Sequence, residues 1–152
     1  VSKSYLSLVY GIPINNLRIE NNIGRHKVNR KKQSVLKDGG KKAISIIKIQ
    51  EKFKNSSLVR INIMTGRTHQ IRVHMAFKGN NILGDKKYKK KFKKFKNIDS
   101  DLEKSILNLD RQFLHAKTIG FTHPITGKKL EFTSNLPQDL NIVLKKLRNT
   151  NK

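Results

Sequence analysis

Residues 58–85, LVRINIMTGRTHQIRVHMAFKGNNILGD, set the reading of the whole chain. From Leu58 to Met64 apolar residues alternate with polar ones. Val59, Ile61 and Ile63 fall on one face and Arg60 and Asn62 on the other, the pattern of a half-buried strand. At Thr65-Gly66 the period changes. Ile71 and Met75 are four apart and Gly79 supplies a C-terminal stop, so Gln70–Lys78 is predicted to be a short helix, with Thr68 as its N-cap. Arg67 and Arg72 then flank a helix N-terminus, whose free N–H groups favour an anion. Strand, Gly turn and cationic helix start together make a place for a phosphate or a working carboxylate.

The chain has 152 residues, 34 Lys+Arg against 10 Asp+Glu, and a formal net charge of +24. That length allows one domain with one core. Such a charge attracts polyanions, nucleic acid first. Abundant Lys, Asn and Ile are also what codon drift in an A/T-rich genome produces, so sign alone says little about specificity. There is no cysteine, which excludes a disulfide framework and a thiolate metal site and fits a reducing compartment. No apolar run is long enough to span a bilayer and no signal peptide precedes the first strand. A cytoplasmic monomer bound to RNA, with no membrane partner, is therefore expected, an organellar place staying open. The chain opens at Val1 inside a strand pattern and without a methionine, so a piece of something longer is expected.

Elsewhere, Val1–Tyr10 alternates and is rich in β-formers, a strand ended by Gly11 and Pro13. Tyr5 lies within it, where a tyrosine by itself packs with its hydroxyl at the core edge. Ile19–Val35 holds five cations and no acid in its stretch IGRHKVNRKKQSV. It reads as a basic loop or ribbon, with Arg25, Arg30, Lys31 and Lys32 as contacts for a phosphate backbone or as a solvated surface. A turn at Lys37–Gly40 leads to a strand at Ala43–Ile49. Lys86–Lys96 interleaves Tyr88, Phe92 and Phe95 with lysines; it reads as a basic loop, though such aromatics can stack on bases. Ser100 and Glu103 form a capping box for a helix to about Leu109. Strands at Phe113–Thr122 and Leu130–Ser134 enclose a turn, and a final amphipathic helix runs over about Gln138–Leu147.

Two other chemistries are weighed against this pattern. His69 and His74 are five apart, not the three or four that set two metal ligands on one helical face, so no metal site is expected. Structural roles, donating to backbone carbonyls, are expected for His69 and His115. No G-x-S-x-G motif is present for nucleophilic hydrolysis.

GRTHQIRVHMAFKGNNILGDKKY closely resembles the signature of RluA-type pseudouridine synthases, TGRTHQIRVH followed by a Gly and a (V/L)GD..Y segment. KSYLSLVYG resembles that family's tyrosine strand, with Ser7 in place of the usual Ala. The basic segment resembles another family stretch, with Val28 and Ser34 departing from its Pro and Met. Gly40–Ala43, DRQFLHA and FTHPITGKKLEF also match in order and spacing, so the resemblance covers nearly the whole chain. GRTHQIRVHMA–GD, LDRQFLHA, HPITG and NLPQDL lean toward the RluD-like branch acting on large-subunit ribosomal RNA.

The resemblance implies an α+β fold, a largely antiparallel mixed sheet with a few helices, with residues 1–152 as the C-terminal part of one catalytic domain. It implies isomerisation of uridine to pseudouridine without a cofactor, on a base flipped out of folded RNA. It assigns Tyr5 and Arg72 to catalysis. Ile71, Arg67, His69, Arg25, Arg30 and Lys31 would bind substrate, and Tyr5, Ile71 and Arg72 are expected to converge on one pocket. The family's catalytic Asp sits in an HRLDxxTSG-like motif upstream of the tyrosine strand, and no such motif occurs here. Asp85 belongs to the downstream Gly-Asp and is not expected to replace it. A buried Arg72 needs a carboxylate partner. No acid in this sequence stands out as that partner, so the missing Asp is expected to fill the role. A non-catalytic basic RNA-binding module on the same scaffold is the alternative, and an HRLD-type motif upstream in the reading frame would separate the two.

Overall fold

The computed structural model describes residues 2–88 and 100–150. Phe92 and Phe95 of the Lys-rich stretch lie outside the described residues, as does the Ser100 side chain on which the expected capping box depends.

Seven strands form one sheet: β1 (Ser2–Tyr10), β2 (Leu17–Arg25), β3 (Gln33–Leu36), β4 (Lys41–Lys52), β5 (Ser56–Ile63), β6 (Leu114–Thr122) and β7 (Lys129–Thr133), in the order β3-β2-β4-β5-β1-β6-β7. Helices α1 (Gln70–Phe77), α2 (Ser100–Leu107) and α3 (Gln138–Thr150) accompany the sheet among the described residues. The α+β class is as expected, and every named strand pairing is antiparallel. The segment expected to be a basic loop or ribbon is a hairpin: β2 and β3 pair from Asn22↔Leu36 to Arg25↔Gln33.

Register decides which side chains face helix α1. Cross-strand partners share a face. Asn21↔Ala43, Ile19↔Ser45 and Leu17↔Ile47 link β2 to β4, and Ser45↔Ile63, Ile47↔Ile61 and Ile49↔Val59 link β4 to β5. Lys3↔Ile63, Tyr5↔Ile61 and Ser7↔Val59 carry the same face onto β1. Helix α1 lies on it, because Gln70 and His74 both hydrogen-bond the Ser45 hydroxyl. Arg60 and Asn62 point the other way, as the alternation requires.

The core joins Ile47, Val59 and Ile61 of the sheet, Ile71 and Met75 of α1, and Leu102, Ile106, Leu140, Val143, Leu144 and Leu147 of α2 and α3. Burying these apolar stripes is what makes eight-residue helices stable, since isolated helices of that length are marginal. After α1, residues 80–85 fold back along the end of β1. The Tyr10 amide donates to the Asn81 carbonyl at 2.9 Å and the Leu83 amide to the Leu8 carbonyl at 2.9 Å. Gly84, at φ 80°, makes the return possible, because a Cβ there would collide with the Arg111 carbonyl. This loop delivers Asp85 to the start of α1.

Candidate active site

Helix α1 begins differently from the sequence reading. His69, not Thr68, is the N-cap, in the left-handed region at φ 53° and ψ 26°, and its side chain makes no cap bond. A hydroxyl cap is replaced by Gln70. Its Oε1 accepts the Arg67 amide at 3.1 Å and the Thr65 hydroxyl at 2.7 Å. Its Nε2 donates to the Ile44 carbonyl at 2.9 Å and the Ser45 hydroxyl at 2.8 Å. The Thr65 hydroxyl in turn accepts the Ile44 amide. One buried amide thus ties the Thr-Gly turn to β4 with its polar capacity filled. Sequence reasoning missed Gln70, although a Gln inside a cationic motif and next to the helix start was the available signal.

Arg72 is bidentate on Asp85, with Nε–Oδ2 at 2.9 Å and Nη2–Oδ1 at 2.8 Å. The Asp85 side chain is 1% exposed and that of Arg72 13%. This corrects the expectation that no acid in the sequence partners Arg72: its carboxylate lies thirteen residues on. Asp85 Oδ1 also accepts the Lys87 and Tyr88 amides. Burial alone would raise the Asp85 pKa, but the Arg72 hydrogen bond and these amides outweigh it and hold the carboxyl below its ordinary value. The Arg72 pair occupies only the Nε–Nη2 edge of the guanidinium. Five N–H donors allow a second acceptor on the Nη1 side.

Tyr88 closes the group. Its ring lies 5.0 Å from the Arg72 guanidinium carbon, and its hydroxyl is 2.7 Å from His69 Nδ1. His69 thus bonds a phenol rather than the backbone carbonyl expected of it. Burial, then the Arg72 and Lys87 charges, lower the His69 pKa and favour the neutral ring, which accepts the Tyr88 O–H in its Nε2-protonated tautomer. His115 does meet a carbonyl, that of Ser134, at 3.3 Å.

Tyr5 is half-buried on the α1 face and packs against the cluster that contains Ile71. Ile71 itself is only 5% exposed, so most of it is core. Tyr5, Ile71 and Arg72 thus share one side of the sheet, Tyr5 and Ile71 in a single cluster and Arg72 turned to Asp85. Arg67 is taken up by structure, its Nε donating to the Lys42 carbonyl at 2.8 Å. Arg25, Arg30 and Lys31 are exposed around the β2–β3 turn, which His26 builds by accepting the Val28 and Asn29 amides on Nδ1. No group of three or more His, Asp or Glu that could hold a metal occurs among the described residues, and no described helix is long and apolar enough to cross a membrane.

The description of the RNA pseudouridylate synthase family matches residues 1–77. The ribosomal large subunit pseudouridine synthase D of Zymomonas mobilis is 35% identical over 100% of this chain and 47% of its own length. That of Blochmanniella floridana is 42% identical over 92% of this chain and 44% of its own length. This chain therefore spans about half the length of the curated relatives it matches. Among solved structures, human RNA pseudouridylate synthase domain containing 4 superposes with a TM-score of 0.73 at 21% identity, over 97% of this chain and 62% of that one. Human RNA pseudouridylate synthase domain containing 1 gives 0.69 at 22%, over 98% and 66%. At those identities the two structures speak for the fold.

Proposed function

As the chain belongs to the RNA pseudouridylate synthase family, we propose that it is the C-terminal part of a catalytic domain that converts uridine to pseudouridine in large-subunit ribosomal RNA. The observation that carries this reading is the Arg72–Asp85 pair at the start of α1, on the same sheet face as Tyr5. The names of the Zymomonas and Blochmanniella relatives support the RNA class.

The reaction breaks the N1–C1′ bond of uridine, turns the freed uracil, and joins C5 to C1′; N1 gains a proton and C5 loses one. Residues of this chain supply the surroundings. The Tyr5 ring offers a wall for the flipped base beside C5. Arg72, already fixed by Asp85, presents its Nη1 side to a second carboxylate, the catalytic aspartate, which we place outside these 152 residues. A nearby cation keeps that carboxylate ionised. His69 has its Nδ1 committed to Tyr88 and Arg67 has its Nε committed to Lys42, so both shape the site more than they grip substrate. The protein acts as a cytoplasmic monomer without a cofactor.

Two preparations test this: the chain as given, and a longer one that restores an upstream HRLD-type motif. Only the longer one should yield stoichiometric pseudouridine when ribosomal RNA is mapped by carbodiimide adducts. Stoichiometric product from the chain alone would overturn the assignment and make Asp85 the first residue to reconsider.

RNA binding should survive without catalysis. Each neutralised phosphate releases roughly 0.7–0.9 counterion, so log K should fall steeply with log salt. Arg25, Arg30 and Lys31 are exposed around the hairpin turn and Lys32 adjoins them. Replacing all four by alanine should weaken binding and flatten the salt slope by about three to four phosphates' worth. An unchanged slope, read by fluorescence anisotropy, would show that the hairpin is merely solvated.

A further inference from the structure

We propose that Tyr88 is a positioning residue with two tasks, its hydroxyl holding the base of the cationic hairpin and its ring fixing the Arg72 guanidinium. The inference rests on the reading of Arg72 and the hairpin given above, and extends it to how the two are joined.

The geometry on the hairpin side is specific. Among the described residues β3 is the edge of the sheet, and its outward amides have no strand partner there. Gln33 is its first residue, one position after Lys32 and opposite Arg25. The Gln33 amide donates to the Tyr88 hydroxyl at 3.0 Å, and that hydroxyl shares a second hydrogen bond with His69 Nδ1 at 2.7 Å. The phenol therefore holds two hydrogen bonds at once. It anchors the strand end at which the basic turn returns to the sheet. Lys32 Nζ sits 6.0 Å from the same ring.

The other side is equally defined. Asp85 Oδ1 accepts the Tyr88 amide and Nη2 of Arg72, so one carboxylate sets both the arginine and the turn that carries Tyr88. The Tyr88 ring then lies against the guanidinium at 5.0 Å, close enough for a cation–π attraction. At 9% exposure Tyr88 is nearly closed to solvent. That burial goes against the base-stacking alternative for this aromatic, which the sequence reading had placed behind a plain basic loop. A phosphate backbone pulling on Arg25, Arg30 and Lys31 loads a strand that ends on this side chain, so hairpin engagement and arginine geometry share one support.

Two variants in the full chain that carries the catalytic aspartate separate the tasks. Tyr88→Phe keeps the ring and loses both hydroxyl bonds; Tyr88→Leu loses the hydroxyl and the ring, while the backbone amide bond to Asp85 stays. The Phe variant should raise KM for ribosomal RNA about three- to tenfold with kcat within about twofold. The Leu variant should in addition lower kcat about fivefold or more, as the guanidinium loses its platform. In both, exchange of the Gln33 amide should quicken about tenfold. The Arg72 Nε–H resonance should keep its ring-current shift in the Phe variant and lose it in the Leu variant. Equal kcat for Phe and Leu, or a Phe variant with unchanged KM and Gln33 exchange, overturns the proposal. If the wild type makes no pseudouridine, the reading of the function falls instead. The amide exchange and the Arg72 resonance then still decide the Tyr88 linkage.

Discussion

Replacing Asp85 by Asn should destabilise the fold by on the order of 3 kcal/mol, because removing one partner of a buried ion pair leaves the other charge uncompensated. The side chain of Asp85 is 1% exposed and accepts four hydrogen bonds, two from Arg72 and one each from the amides of Lys87 and Tyr88. Asn keeps the shape and one acceptor oxygen, but turns an NH2 toward a group that can only donate. The consequence reaches chemistry as well as folding. With Arg72 no longer held, pseudouridine formation by the longer enzyme should fall by about a hundredfold or more, a 1 Å misplacement near the reacting groups being enough. Arg72→Lys should be milder for folding and comparable for activity, since the charge remains but the planar fork is lost. Urea unfolding and single-turnover pseudouridine mapping measure the two halves. An Asp85→Asn protein within about 1 kcal/mol of wild type, and equally active, would mean that the pair is decorative.

Much of this site was legible in the sequence, and what escaped did so for a physical reason. The alternation of Val59, Ile61 and Ile63 put the correct face of β5 inward, because period two follows directly from the pleat. Ile71, Met75 and Gly79 bounded α1 to within a residue. The resemblance of GRTHQIRVH to a family signature singled out Arg72, which the structure places at the start of α1. The partner of Arg72 was hidden because Asp85 arrives by a tertiary route. Only the return of residues 80–85 along β1, and the positive φ of Gly84, bring the carboxylate back to the helix start. Reading outward from Arg72 along the sequence meets no acid until that loop, and the family resemblance pointed to an aspartate upstream instead. The N-cap was misplaced for a related reason. Thr68 has the right chemistry for a cap, but Gln70 reaches back to the Arg67 amide and makes that hydroxyl unnecessary. The β2–β3 hairpin was read only as a basic loop or ribbon, because Asn21, Asn22 and Gly24 break the apolar alternation of β2. Asn21 earns its inward place through His74.

That histidine gives the second large effect, a loss of stability as pH falls. His74 is fully buried, its Nε2 2.7 Å from Asn21 Oδ1 and its Nδ1 2.8 Å from the Ser45 hydroxyl. The donors run in one direction. Gln70 Nε2–H donates to the Ser45 oxygen, the Ser45 O–H donates to Nδ1, and Nε2–H donates to the Asn21 carbonyl oxygen. This chain requires the neutral ring, since an added proton on Nδ1 would face the Ser45 O–H that now donates to it. Burial, and to a lesser degree the Lys78 charge, lower the His74 pKa to about 4. The unfolded chain takes up the proton at about pH 6.5, before the folded one does. The stabilisation is therefore complete above about pH 6.5 and is lost as pH falls toward 4, by on the order of 3 kcal/mol in all. His69, lowered by burial and by the Arg72 and Lys87 charges, adds to the loss as pH falls below about 6.5. Asp85 acts separately, because its carboxyl is held below its ordinary value and its contribution fails only in stronger acid. His74→Gln removes the titrating ring while leaving an amide to span Ser45 and Asn21. The variant should be weaker than wild type near pH 7, and its unfolding free energy should change much less between about pH 7 and about pH 4.5, so that the two curves approach each other in acid. Parallel curves from urea titrations across that range would show that the pH dependence arises elsewhere than at His74.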